Sequence, residues 1–78
     1  MRWVAEIPAR LRIDDVGWLA IEFDSDSSGW FLFECTTPSC VKWDSWHLTR
    51  QEALAQAKVR WGTQLKDWQP PIEGEVLD

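Results

Sequence analysis

Residues 43–62, Trp43-Asp-Ser-Trp46-His-Leu-Thr49-Arg-Gln-Glu52-Ala-Leu-Ala-Gln-Ala-Lys-Val-Arg-Trp61-Gly62, join the end of a strand to a well-marked helix. Thr49 stands where its hydroxyl can cap that helix, and Glu52 stands three residues on, in reach of the Thr49 amide. This is capping-box spacing, with an apolar run directly behind it. Leu54, Ala57 and Trp61 fall on one stripe flanked by Ala53 and Lys58, while Glu52, Gln56 and Arg60 line the wet side. Gly62 offers the positive φ at which helices stop. The spacing predicts a helix from about Arg50 to Trp61. Leu65 and Trp68 prolong the stripe, so the alternative is a helix running on through Gly62, at ~1 kcal/mol relative to Ala. The break is preferred, with Thr63 capping a second short turn, and Pro70-Pro71 ends all helix.

Upstream of the helix the pattern is one of strands. Residues 2–7 read as a short strand closed by Pro8, and residues 9–13 alternate, with Leu11 and Ile13 opposite Arg10 and Arg12. Asp14-Asp15-Val16-Gly17 reads as a turn. Residues 18–24 and 30–36 are the next strands, joined by the small polar loop Asp24-Ser-Asp-Ser-Ser-Gly29. That loop has the start of a calcium loop but lacks its later ligands, so it is read as a hairpin turn. Thr37-Pro38-Ser39 leads into a strand over 40–46 with Val41 and Trp43 inward. Glu22 and Glu34 are assigned outward, because an unpaired carboxylate is costly inside. The expected core face is then Leu19, Ile21, Phe23, Phe31, Phe33 and Cys35. The expectation is an α+β domain over residues 1–69: an antiparallel meander of three to four strands with one C-terminal helix packed on one face. Residues 70–78 are expected to form a flexible acidic tail.

Seven Trp and three Phe give this short chain large side chains from which to build a core. Its net charge of −5 sets phosphate backbones at a disadvantage as partners and suits a basic protein. No leader and no membrane-length apolar run is visible, so a cytoplasmic location with reduced thiols is expected.

On this face assignment the uncovered side of the sheet shows Trp18, Ala20, Trp30 and Leu32. Paired tryptophans left in water are typical anchors of an interface, with a protein partner or with a second copy of the chain. The same indoles, helped by Arg10 and Arg12, offer the alternative of stacking single-stranded bases. The bland reading is that the N-terminal strand or the tail covers them. Cys35 and Cys40 face each other across a hairpin at a spacing that allows a disulfide, though packed free thiols are the simpler reading. With His47 they supply at most three zinc ligands in no recognised spacing, so no metal or cofactor is expected. Asp44, His47 and a cysteine are the available nucleophilic set, but a domain this small scarcely offers them a pocket. A non-enzymatic role is therefore expected.

The Trp-containing strand running into Thr49-x-x-Glu52-Ala53, behind Gly29-Trp-Phe-Leu-Phe33, resembles small uncharacterised bacterial domains over about residues 17–68. More loosely it is similar to the partial RNase-H-like domain of HicB-type antitoxins, in which a strand meander also runs into a Thr-x-x-Glu-Ala helix. The first resemblance implies no activity. The second implies a domain that occludes a small toxin. The chain departs from that pattern in lacking its Gly-Cys turn before the helix and a following DNA-binding segment. The residues imply a protein-binding domain, and the second resemblance implies that its role is inhibitor- or immunity-like.

Overall fold

The computed structural model describes residues 2–72. Five strands and one helix follow in the order β1 (Arg2–Glu6), β2 (Trp18–Asp24), β3 (Gly29–Thr37), β4 (Cys40–His47), α1 (Arg50–Trp61) and β5 (Trp68–Gln69). The strands make one antiparallel sheet in the order β4-β3-β2-β1-β5, and α1 packs across one face of it. The class is the α+β expected, with five strands in place of three to four. The added strand is β5, which pairs Trp68 and Gln69 with Ala5 and Val4. Its two residues are too few to show an alternation. Ile72 is buried in the core, so the packed chain runs past Pro70. Of the tail expected over residues 70–78, residues 73–78 lie outside the described residues.

The helix forms as its sequence dictates. Thr49 Oγ1 accepts the Glu52 amide at 3.1 Å. Glu52 returns its carboxylate to the Leu48 amide at 3.0 Å, one residue before the position the capping box predicts. Gly62 adopts φ 72° and ends the helix. A 3-10 turn, Leu65–Asp67, follows, capped by Gln64 in place of Thr63. Ala53, Leu54, Ala57 and Trp61 are buried, the stripe the periodicity predicts.

Residues 9–13 do not form a strand. Ala9–Leu11 is a 3-10 turn, and Ile13 makes only an isolated bridge to Val16. Asp14 and Asp15 both take positive φ (54° and 67°), the backbone of a tight two-residue turn. Val16 rather than Ile13 then enters the core.

The larger correction concerns β3. Its register against β2 sets Phe23 opposite Trp30, Ile21 opposite Leu32 and Leu19 opposite Glu34. Directly paired residues share a face. Trp30, Leu32 and Glu34 therefore point toward α1, while Phe31, Phe33 and Cys35 point away. A single-residue slip in register flips every side chain of a strand, and this is the slip between expectation and structure.

Glu34 is buried under the helix, but it is not unpaired. Its Oε2 accepts Trp61 Nε1 at 2.6 Å and Arg60 Nε at 3.1 Å, and Arg60 Nη2 lies 3.1 Å away in the same ion pair. Three nitrogens from the last turn of α1 thus converge on one carboxylate oxygen of a central strand. Around it Trp3, Ala5, Ile7, Val16, Leu19, Ile21, Leu32 and Trp68 complete the core with the helix stripe.

Truncating Glu34 strands the Trp61 N–H in a dry site and frees Arg60, whose head is partly solvated. Glu34→Ala should lower stability by about 2–3 kcal/mol, and Glu34→Gln, which keeps an acceptor, by about 1 kcal/mol. Urea unfolding followed by Trp fluorescence reads both; equal costs would show that the acceptor is not what matters.

Candidate functional site

Among the described residues no α-helix lies over the face turned away from α1. Cross-strand pairing lays it out in rows. Arg2, Glu22, Phe31 and Trp46 form one row, and Val4, Ala20, Phe33 and Asp44 form the next. Glu6, Trp18 and Cys35 follow, with Gln69 of β5 beside Val4.

The Phe31 and Phe33 rings stack, with centroids 5.5 Å apart and planes within 16°. Side chains two residues apart on a strand lie on one face, so alternation alone places them together. The Arg2 guanidinium lies 5.6 Å from the Phe33 centroid and donates to the Pro38 carbonyl at 3.3 Å. Glu22 sits 3.8 Å from Arg2, a solvent-screened pair worth little in stability. Two register shifts in the β3–β4 pairing, between Glu34 and Thr37, bend this hairpin and bring its tip within reach of Arg2.

Trp46 lies flat across Gly29. A Cβ at position 29 would collide with the indole, so the glycine is what lets the ring settle on the backbone. Trp46 Nε1 donates to Ser27 Oγ at 2.9 Å, and Ser27 in turn donates to Asp24 Oδ2 at 2.6 Å. The Asp24 carboxylate also accepts the Asp26 amide at 3.2 Å, so it is engaged in shaping the hairpin turn.

The residues singled out from sequence divide between the two faces. Trp18 and Ala20 are on the open face, Trp18 half-buried and Ala20 buried. Trp30 and Leu32 are not: Leu32 is fully buried beneath α1, and Trp30 packs against that core. Trp30 meets Trp3 at 5.9 Å and Phe23 edge-on at 5.3 Å, with the Arg50 guanidinium 6.0 Å from its centroid. Trp18 and Trp30 therefore do not share a surface. Arg12 is also engaged, donating to the Ile7 carbonyl at 2.9 Å and to Glu6 at 3.0 Å. Arg10 is exposed in the 3-10 turn. Phe31, Phe33 and Trp46 take the place of Trp30 and Leu32 on the open face. The signal that could have found them is the loop: four residues between Asp24 and Gly29 pair odd positions of β2 with even positions of β3.

Cys35 is buried on the same face and Cys40 is exposed, both as free thiols. Burial pushes the Cys35 thiol up in pKa, with Arg2 opposing the shift and Cys40 and Glu34 adding to it. Among the described residues no cluster of three or more His, Cys, Asp or Glu could hold a metal ion. Among them, too, no helix is long and apolar enough to cross a membrane. Ser45 and His47 bond at 2.8 Å, and the pair lies on the helix side of β4, away from both thiols.

Comparison with protein-family models, with curated proteins and with solved structures finds no match.

A thiol reagent should label the exposed Cys40 at least about tenfold faster than the buried Cys35, because reagent reaches only the exposed sulfur readily. Mass spectrometry of time points distinguishes the two sites. Because the folded Cys35 thiol loses its proton at higher pH than the unfolded one, stability should fall as pH rises through the ordinary thiol range. Cys35→Ala should flatten that fall.

Proposed function

We propose that this domain is a non-enzymatic protein-binding module whose partner docks on the helix-free face of the sheet. The observation that carries the reading is the row of aromatic side chains kept on that face. Phe31 and Phe33 are stacked on a central strand, with Trp46 on one side, Trp18 on the other and an arginine laid over one ring. Aromatic rings and arginine are the side chains that dominate interface energetics. Rings held by a sheet lose little further conformational freedom on binding.

Charge narrows the partner. Glu6, Glu22 and Asp44 surround the rings, against Arg2 and the Arg12 that pairs with Glu6. With the net −5 of the chain, this favours a basic protein over a phosphate backbone. An inhibitor- or immunity-like role, in which the domain covers the working surface of a basic protein, suits this arrangement. The stacked Phe31–Phe33 pair does favour one second reading, base stacking by single-stranded nucleic acid, since such sheets use aromatics two residues apart. The carboxylates on the same face oppose it.

Phe33→Ala and Trp18→Ala should each weaken partner capture by roughly 30-fold, the effect of an interface anchor of about 2 kcal/mol. Val59→Ser, on the exposed side of the helix, should leave it unchanged. Titration with a single-stranded oligonucleotide at low salt should leave Trp fluorescence unquenched. Salt-sensitive quenching lost in Phe33→Ala would favour nucleic acid instead.

A further inference from the structure

The two edges of the sheet are finished differently. On one, β5 covers β1 and runs straight into Pro70 and Pro71, which can donate no hydrogen bond outward. On the other, β4 has a neighbour on one side only among the described residues, and its eight residues end the sheet they form. Such an edge carries a row of backbone donors and acceptors that templates another strand unless it is guarded.

The guards are largely missing here. β4 contains no proline. Its single lysine, Lys42, is turned back: its ammonium donates to the Asp14 carbonyl at 2.7 Å and lies 4.9 Å from the Trp43 ring centroid. A bulge disturbs the pairing at Val41–Trp43, but from Trp43 to His47 the strand runs in regular register with β3. That regular run is bracketed by indoles. Trp43 lies beside Glu34 on the helix side, and Trp46 beside Phe31 on the open side. They remain 40% and 45% exposed. An incoming strand would find one aromatic wall on each of its faces.

The surroundings of this edge are acidic. Asp44 is in the run itself, and Asp14 and Asp15 lie where Lys42 is anchored. Asp24 and Asp26 adjoin Trp46 through Ser27. Glu52 closes the junction into α1. Lys42, Arg50 and, at the hairpin tip, Arg2 oppose these six carboxylates. Two copies of the chain, each at −5, would bring like-charged edges together.

We infer that Trp43–His47 is a docking edge on which a basic, extended segment of the partner protein adds as a sixth strand. The inference rests on the protein-binding reading above and specifies the partner's chemistry and its point of entry. Backbone hydrogen bonds to β4 supply the affinity. Trp43 and Trp46 hold side chains on the two faces of the added strand, and the acidic rim selects lysine and arginine. Bound there, the segment continues the sheet outward from Phe31 and Phe33, so the rest of the partner can lie on the open face.

The test uses the whole chain and a blocked peptide of about seven residues, a common strand length, alternating lysine and valine. Two controls accompany it: a glutamate–valine counterpart, and the basic peptide N-methylated at alternate residues. Amide exchange and chemical shifts of the protein are read by nuclear magnetic resonance at low salt. The basic peptide should slow exchange across Trp43–His47. The acidic and the N-methylated peptides should bind at least about tenfold more weakly. Trp43→Ala and Asp44→Lys should weaken the basic peptide similarly. Equal binding of the acidic or the N-methylated peptide, or no binding at all, overturns the inference. Shifts confined to Phe31 and Phe33 with β4 amides unchanged also overturn it while leaving the open-face reading standing. Sedimentation showing a dimer with β4 already protected in the absence of peptide assigns the edge to a second copy and overturns it as well.

Discussion

A single carboxylate settles which way this sheet faces. Glu34 sits in a central strand, and three nitrogens from the last turn of α1 meet on one of its oxygens. A charge taken from water is tolerable only where hydrogen bonds replace the lost solvation. The paired arginine and indole do so here. The helix is thereby pinned to one parity of β3. Leu32 and Trp30 go inside with Glu34, and the phenylalanines go outside. The composition of the open face, and every functional argument drawn from it, follows from that pairing.

What could be read from the chain was what local physics decides. Thr49, Glu52 and Gly62 fix a helix within thirteen residues of one another, and its buried stripe follows from a period of 3.6. Alternation likewise locates β2, β3 and β4 to within a residue at each end. What could not be read depends on partners distant in sequence. Alternation puts Glu34 outside unless it has a partner, and its partners stand 26 and 27 residues away. The alternation at Leu11 and Ile13 looked like a strand, but Pro8 and the two positive-φ aspartates turn the chain too tightly for one. Trp68 looked like an extension of the helix stripe because burial is common to both states; only pairing with Ala5 makes it a strand. For the candidate site the consequence is specific. Trp18 and Ala20 were placed with the right neighbours on β2, and the β3 half of the same surface was inverted.

The seven tryptophans divide along the same line. Trp3, Trp61 and Trp68 are buried, and Trp30 packs on them from the helix side. Trp18, Trp43 and Trp46 stay partly or largely in water. The buried set is explained by the need of a short chain for large side chains in its core. The exposed set is not, since none of the three is required to close the layer beneath α1. Trp46 does have a local role, covering Gly29, and its fixed orientation makes it a rigid contact surface.

Geometry explains why one edge was left bare. Five strands at about 4.8 Å spacing span roughly 19 Å between their outer axes, while one helix with its side chains covers about 10 Å. A single helix therefore shields two or three strands, and α1 does so over β2 and β3, reaching β4 at its margin. The strip over β1 and β5 is filled by the chain that follows the helix, through Leu65, Trp68 and Ile72. Among the described residues no comparable segment lies over β4. The long strand there, with an indole on each face and carboxylates around it, is the feature on which the proposed docking edge relies.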